Sequence, residues 1–521
     1  MAQADDEIST VQEQEQRHER ATRSKAVEFL TSHATEETAF TYEEEKPFSA
    51  VSTSESSSLF FGRISSSSLT KLCLHFRPAR RCQSSRPTIF LAWVYSLPRT
   101  IGNATSCGAS FVLASAIFLW GSALAIMAAC TDFPSLLGLR FVLGSFESCI
   151  APCCVAITQM WWRRSEQTLR VSYWNAMNGL TAIIGSLLTY GLGHIHSNTL
   201  YRYQTIFMFC GLLTVVYSFL VFWLMPDSPM EAKCLSDREK FIATERLRAN
   251  QMGISNQEWR WDHAREVVLD LKTWCWFFSI ITISIASGGI STFGSLIVKS
   301  FGFDSFQTIL FNIPFGVIQI LAILITGWLA TWTQRKGLVI AGASVLPSAG
   351  AIMMLTVPRH HKGVLLFGYY LVSTMASITP LIYAWQAQNT AGDTKKKCTS
   401  GVVFTGMAAG NIIGPLLYST EEAPLYRTGL IANLAMFVTV GTIAGLTPFY
   451  LMHLNKKHEK RRVELGKVGP VADMSMLNKD KRKETKAMEL EDIRDQKVSV
   501  EQDNGLQDMT DLKNEDFVYV Y

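Results

Sequence analysis

The chain has 521 residues, 48% of them hydrophobic, 18% charged and 11% aromatic, with a formal net charge of +4. Residues 1–86, 226–272 and 454–521 are predominantly polar, and what remains is a series of apolar runs of about 20 residues or more, enough to span a hydrocarbon core about 30 Å thick. This pattern excludes a soluble globular enzyme, and the near-neutral charge leaves no nucleic-acid footprint.

The opening MAQADDEIST is acidic and polar, without the basic region and short apolar core of a secretory signal, so the first strong apolar span is expected to act as the insertion signal. Residues 87–98 (PTIFLAWVYSLP) are apolar but too short to cross alone. Ten spans then reach helix length: 107–130, 135–161, 171–195, 204–225, 274–298, 307–332, 337–357, 363–387, 398–418 and 429–452. Internal glycines and prolines such as Gly185, Pro152, Pro314 and Gly414 let membrane helices pack closely or bend. Cysteines in or beside the spans (Cys130, Cys153, Cys154, Cys210) read as small hydrophobes, and none has metal-ligand spacing with histidine.

Loop charge orients the spans. One set of loops carries sixteen Lys and Arg residues, among them Arg163, Arg164, Lys336 and Lys395–Lys397; the alternating set carries five. The richer side is expected to be cytoplasmic, which places both termini and the 226–272 loop there. The resulting organisation is a polar N-terminal region (1–86), an incomplete N-terminal transmembrane half (87–225), a central loop (226–272), a C-terminal transmembrane half (273–453) and a disordered cytoplasmic tail (454–521). The alternation of charge in DREKFIATERLRANQ is consistent with an amphipathic helix, either on the membrane face or docked on the bundle.

From about residue 117 the sequence resembles the allantoate permease family, fungal members of the anion:cation symporter branch of the major facilitator superfamily. The resemblance rests on ordered motifs: Arg140-Phe-Val-Leu-Gly144-Ser-Phe-Glu147, Trp161-Trp-Arg-Arg164, Met177-Asn178-Gly179, Leu224-Met-Pro226, Asn312-Ile-Pro314, Trp385 with Asn389, and Gly410-Asn-Ile-Ile-Gly-Pro415. Near the end, Asp508-Met-Thr-Asp511 and Asp516-Phe-Val-Tyr519 also match. The resemblance implies an all-α polytopic fold of two six-helix halves. It also implies a transporter, not an enzyme, and a substrate such as allantoate, ureidosuccinate, nicotinate or a related carboxylate or vitamin. The family's first helix, with its acidic–basic pair, has no match in residues 40–100; either that helix pair is lacking or the stretch reflects a misread exon or frame. A non-transporting sensor or an inactive member is the alternative.

Charge inside the spans is the most informative feature. Arg140 and Glu147 lie seven residues apart on one helix, on nearly the same face and about 10 Å apart. A mid-membrane carboxylate costs about 2.5–3.5 kcal/mol on insertion scales, which argues for a role or a partner. Arg140 can hold an incoming anion through a bidentate contact, and Glu147, desolvated, can take and release a proton. A helix-to-helix salt bridge, or a protonated, hydrogen-bonded core glutamate, is the other reading. The resemblance implies the same pair as proton-coupling and substrate-binding residues. Asn178 and Asn411 are amides in apolar helices, one in each half, that can bond a substrate or bridge helices; Gln319 and Gln386 are further substrate-binding candidates. Tyr173, Trp174 and Asn175 read as pathway-lining residues or interface anchors. No metal or organic cofactor is expected, only a proton as coupling ion. The expected partners are a small organic anion and the lipid bilayer, with ubiquitin or trafficking machinery at the tails, and the expected location is the plasma membrane.

Overall fold

The computed structural model describes residues 109–193, 202–225, 236–240, 243, 259–303, 305–358, 360–422, 425–465 and 508–521. The 87–98 segment, and with it the question of the first helix pair, lies outside the described residues.

The four spans before the central loop are helices α1 (Ala109–Ile126), α2 (Phe133–Trp161), α3 (Arg164–Gly193) and α4 (Arg202–Leu224). A short helix, α5 (Trp261–Leu269), precedes α6 (Leu271–Ser300). The remaining spans are α7 (Ser305–Leu310) with α8 (Asn312–Thr333), α9 (Lys336–Ala343) with α10 (Val345–Thr356), α11 (Lys362–Ser373) with α12 (Ile378–Gln388), then α13 (Asp393–Leu416) and α14 (Arg427–Glu464). All ten expected spans are thus helical, and the fold is the all-α bundle anticipated. Among the described residues, eight of these stretches are long and apolar enough to cross a membrane; α3 and α13 are long helices whose spans carry more polar and small residues, among them Asn175 and Asn178 on α3 and Asn411 on α13.

Polar residues lie inside apolar helices because their hydroxyls are satisfied one turn back. Thr158 donates to the Cys154 carbonyl at 2.7 Å, Ser172 to Thr168 at 2.9 Å and Ser186 to Ala182 at 2.7 Å. Outward stripes face the lipid: Leu321, Ile325, Trp328 and Trp332 on α8 follow helical spacing and are exposed. Cys153, Cys154 and Cys210 are buried among the helices as small packing groups.

Helix α3 crosses α8 where glycine is required. A Cβ at Gly179 would lie 2.6 Å from the Gly316 carbonyl oxygen, and one at Gly316 would lie 2.6 Å from that of Gly179. This crossing joins the first group of four helices to the later six. Helix α6 packs on α13 in the same manner, with Gly414 against the Ile285 carbonyl.

One expectation about the ends is corrected. The disorder anticipated for 454–521 does not hold for its two described parts: α14 continues to Glu464, and residues 508–521 pack against the bundle with Phe517 and Tyr519 buried. Composition marked the segment as polar, but its few aromatic residues find a pocket made by distant helices. In the central loop, Ser236 and Glu239 form a reciprocal cap ahead of helical residues 237–240, with Ser236 N–H donating to Glu239 Oε2 at 2.8 Å. The rest of that expected amphipathic helix, through residue 251, lies largely outside the described residues.

Candidate functional site in the helix bundle

The end of the bundle that holds Arg164, Lys272, Lys336 and Lys395 is called the basic end. Helix α2 reaches it at Trp161, and α3 starts from it at Arg164. At 1.5 Å per residue, Glu147 on α2, Asn178 on α3 and Gln319 on α8 all lie about 21 Å along their helices from that end. All three are half-buried. Asn178 adjoins Gly179, so it sits at the crossing with α8, one turn from Gln319. Arg140 lies about 10 Å beyond Glu147, half-buried, with its guanidinium 5.8 Å from the Phe207 ring of α4. Asn411 on α13 packs its backbone and amide oxygen against Gly288 of α6.

Gln386 is placed elsewhere. It is fully buried at the basic end, where its Nε2 donates to Ser400 Oγ at 3.4 Å. Tyr173 faces outward, with Arg170 5.9 Å from its ring, while the Asn175 amide bonds its own helix at the Val171 carbonyl. Trp174 stacks on Tyr383 of α12 with ring centroids 6.5 Å apart.

The basic end is closed between the two helix groups. Gln159 Nε2 donates to the Ala387 carbonyl at 3.3 Å, and Arg164 Nη2 to the Gln388 carbonyl at 2.5 Å. Gln388 Nε2 donates in return to the Arg164 carbonyl, and to Thr168 Oγ1 at 3.1 Å. Next to this closure lies a buried charge cluster. Lys272 contacts Asp270 and Asp511, and Lys395 lies 2.6 Å from Glu266, 3.0 Å from Asp270 and 3.0 Å from Asp511. Burial opposes ionisation of Asp511, yet Lys272 and Lys395 hold its carboxyl well below the ordinary carboxylate range. Sequence reasoning singled out neither Gln388 nor this cluster. The visible signals were the Asp508–Asp511 and Asp516–Tyr519 motifs and the three lysines at 395–397.

A bundle whose halves close at one end around a mid-depth polar layer has the form of an alternating-access carrier. The family model described as Major Facilitator Superfamily matches residues 101–415. The chain belongs to the major facilitator superfamily. It is therefore a multi-pass membrane transporter and not an enzyme. An uncharacterized transporter of Schizosaccharomyces pombe is 35% identical over 391 residues, 73% of each chain. The thiamine pathway transporter of Saccharomyces cerevisiae is 31% identical, covering 73% of this chain and 72% of its own. The allantoate permease of the same yeast is 31% identical over 68% of each chain. Among solved structures, the transporter FucP superposes with a TM-score of 0.53 at 15% identity, covering 76% of this chain and 97% of FucP, which shows the shared fold.

Proposed function

We propose that this transporter takes up a small organic anion together with a proton, the anion belonging to the carboxylate and vitamin class of allantoate, ureidosuccinate and nicotinate. The observation that carries this reading is the placement of Arg140 and Glu147 on α2, both half-buried, with Glu147 at the depth of Asn178 and Gln319. The relatives named as an allantoate permease and a thiamine pathway transporter support the class.

In this reading the basic end is cytoplasmic, as the loop charges indicate, and the membrane is the plasma membrane. An anion entering from the opposite side meets the Arg140 guanidinium first, which binds a carboxylate through two parallel hydrogen bonds. Glu147, deeper, carries the proton. The proton offsets the charge of the anion, so uptake proceeds against an inside-negative potential. Asn178, Gln319 and Asn411 offer amide donors and acceptors to the rest of the substrate. Gln386, held at the basic end by Ser400, lies on the exit side of this site.

The test is uptake of radiolabelled allantoate, ureidosuccinate and nicotinate into proteoliposomes holding the full chain, with an imposed inward proton gradient. Accumulation of at least one of them that collapses with a protonophore supports the proposal. Accumulation of none of them, or uptake indifferent to the gradient, overturns it.

A further inference from the structure

The C-terminal segment 508–521 is bound by the later six-helix half and by α5 beside it, where Thr510 donates to Glu266 Oε2 at 3.0 Å and Lys513 pairs with Asp262. Asp511 enters the Lys272–Lys395 cluster and also accepts from the Tyr519 hydroxyl at 2.8 Å and the Ala391 N–H at 3.2 Å. The Val520 N–H donates to Asn389 Oδ1 at 2.8 Å, and its carbonyl accepts from Trp385 Nε1 at 2.8 Å. The Tyr519 N–H donates to Asn455 Oδ1 at 2.8 Å. Arg462 of α14 pairs with Asp516, and the Tyr521 carbonyl accepts from the Lys336 N–H at 2.7 Å. Helices α6, α9, α12 and α14 thus each hold the segment.

From the described residues of the first half, Arg164 reaches it. Arg164, at the start of α3, donates from Nη2 to the Val518 carbonyl at 2.9 Å, and its guanidinium lies 4.7 Å from the Phe517 ring centroid. The same Nη2 bonds Gln388 of α12. Arg164 is 1% exposed, so its guanidinium is out of water, and these carbonyls and this ring are among the groups that hold its charge.

We propose that the C-terminal segment is a fixed part of the later half and forms the seat into which Arg164 of the first half closes. It acts as one jaw of the gate at the basic end. Opening that end, as the transporter reading requires, pulls Arg164 off Val518 and Phe517 while the segment stays docked through Asp511, Tyr519 and Val520. The many contacts to one half and the Arg164 contacts to the other divide the segment into an anchor and a releasable catch. The energy of the catch then biases the carrier toward the state closed at the basic end.

The test is hydrogen–deuterium exchange on the full chain in lipid nanodiscs without substrate, which is independent of the substrate and of proton coupling. It compares the native chain, Phe517→Ala and a chain ending at residue 507. The readout is the turn from α2 into α3, where the Glu166 and Gln167 N–H groups bond the Arg163 carbonyl. Loss of the ring under Arg164 should speed exchange there about threefold in Phe517→Ala, the size of a lost cation–π contact, while the Tyr519 and Val520 amides stay protected. The shortened chain should speed it further. Unchanged exchange across 162–168 in Phe517→Ala, or equal acceleration of every segment of the protein, overturns the proposal. Should the shortened chain fail to fold, Phe517→Ala decides alone.

Discussion

Lys395, in the first turn of α13, and Asp511, in the C-terminal segment, lie 3.0 Å apart with both side chains fully buried. Neither charge would be tolerable there alone, since desolvation costs several kcal/mol per ion and is offset only when partners and hydrogen bonds are complete. Asp511 has them: two ammonium groups, a tyrosine hydroxyl and a backbone N–H.

Asp511→Ala removes one member of this network and leaves Lys272 and Lys395 facing only Asp270 and Glu266. The expected cost is about 3–5 kcal/mol, enough to undock the segment. Limited trypsinolysis checks it: cleavage after Lys513 should rise by more than about tenfold in the variant, while helices outside the basic end keep their protection. Cleavage at the native rate contradicts the anchoring role of Asp511.

His263 on α5 gives the basic end a pH dependence. Burial holds its imidazole below the ordinary histidine range; Asp508, facing it from the C-terminal segment, opposes that shift, as do Asp262 and Glu266, and Arg260 reinforces it. The folded protein therefore keeps the ring neutral to lower pH than the unfolded chain does. This contribution to stability is full above about pH 6.5 and declines as the pH falls below it. Thermal unfolding at two pH values, one on each side of that point, should show a larger loss for the native chain than for His263→Gln. Parallel losses would remove His263 from the account. Asp511, whose carboxyl is held well below its usual range, keeps its charge throughout this window.

The α3–α8 crossing admits no side chain at Gly179. A methyl there meets the Gly316 carbonyl oxygen and the Ile320 side chain at 2.6 Å, and the first of these is backbone that cannot yield cheaply. Gly179→Val should lower stability by about 1–3 kcal/mol, seen as a reduced melting temperature of the purified protein. Gly138, whose Cβ would meet nothing within 4 Å, is the control position for the same substitution.

The helices were legible because membrane insertion imposes a length and a composition that each apolar run displays on its own. Helices α3 and α13 were harder to delimit, because Arg164 and Lys395 start them within charged turns. The mid-depth residues could be nominated from sequence, since a charge or amide in an apolar run stands out; their common level required knowing where each helix begins. Gln386 shows the limit: its amide looked equivalent to the others, but α12 ends just beyond it, at the basic end. The C-terminal segment was marked by its Asp508–Asp511 and Asp516–Tyr519 motifs, but where it packs was not legible. Its partners on α6, α12, α13 and α14 lie far away in the chain, so those motifs by themselves do not separate a docked segment from a solvated tail.

Arg140→Lys separates charge from geometry. Lysine retains the positive charge but loses the paired donors of the guanidinium. If Arg140 holds the anion as proposed, the KM for the transported anion should rise about tenfold with a smaller change in maximal rate, a loss near that of one charge-assisted hydrogen bond. An unchanged KM places the anion elsewhere.

The most direct measurement of the proposed coupling is made on Glu147→Gln in proteoliposomes, with the anion that the native chain accumulates. Glutamine keeps the shape and hydrogen-bonding reach of the side chain and cannot carry a transferable proton. Proton-gradient-driven accumulation should be lost, while exchange of labelled for unlabelled anion across the membrane continues. Accumulation at the native level in Glu147→Gln would contradict the account.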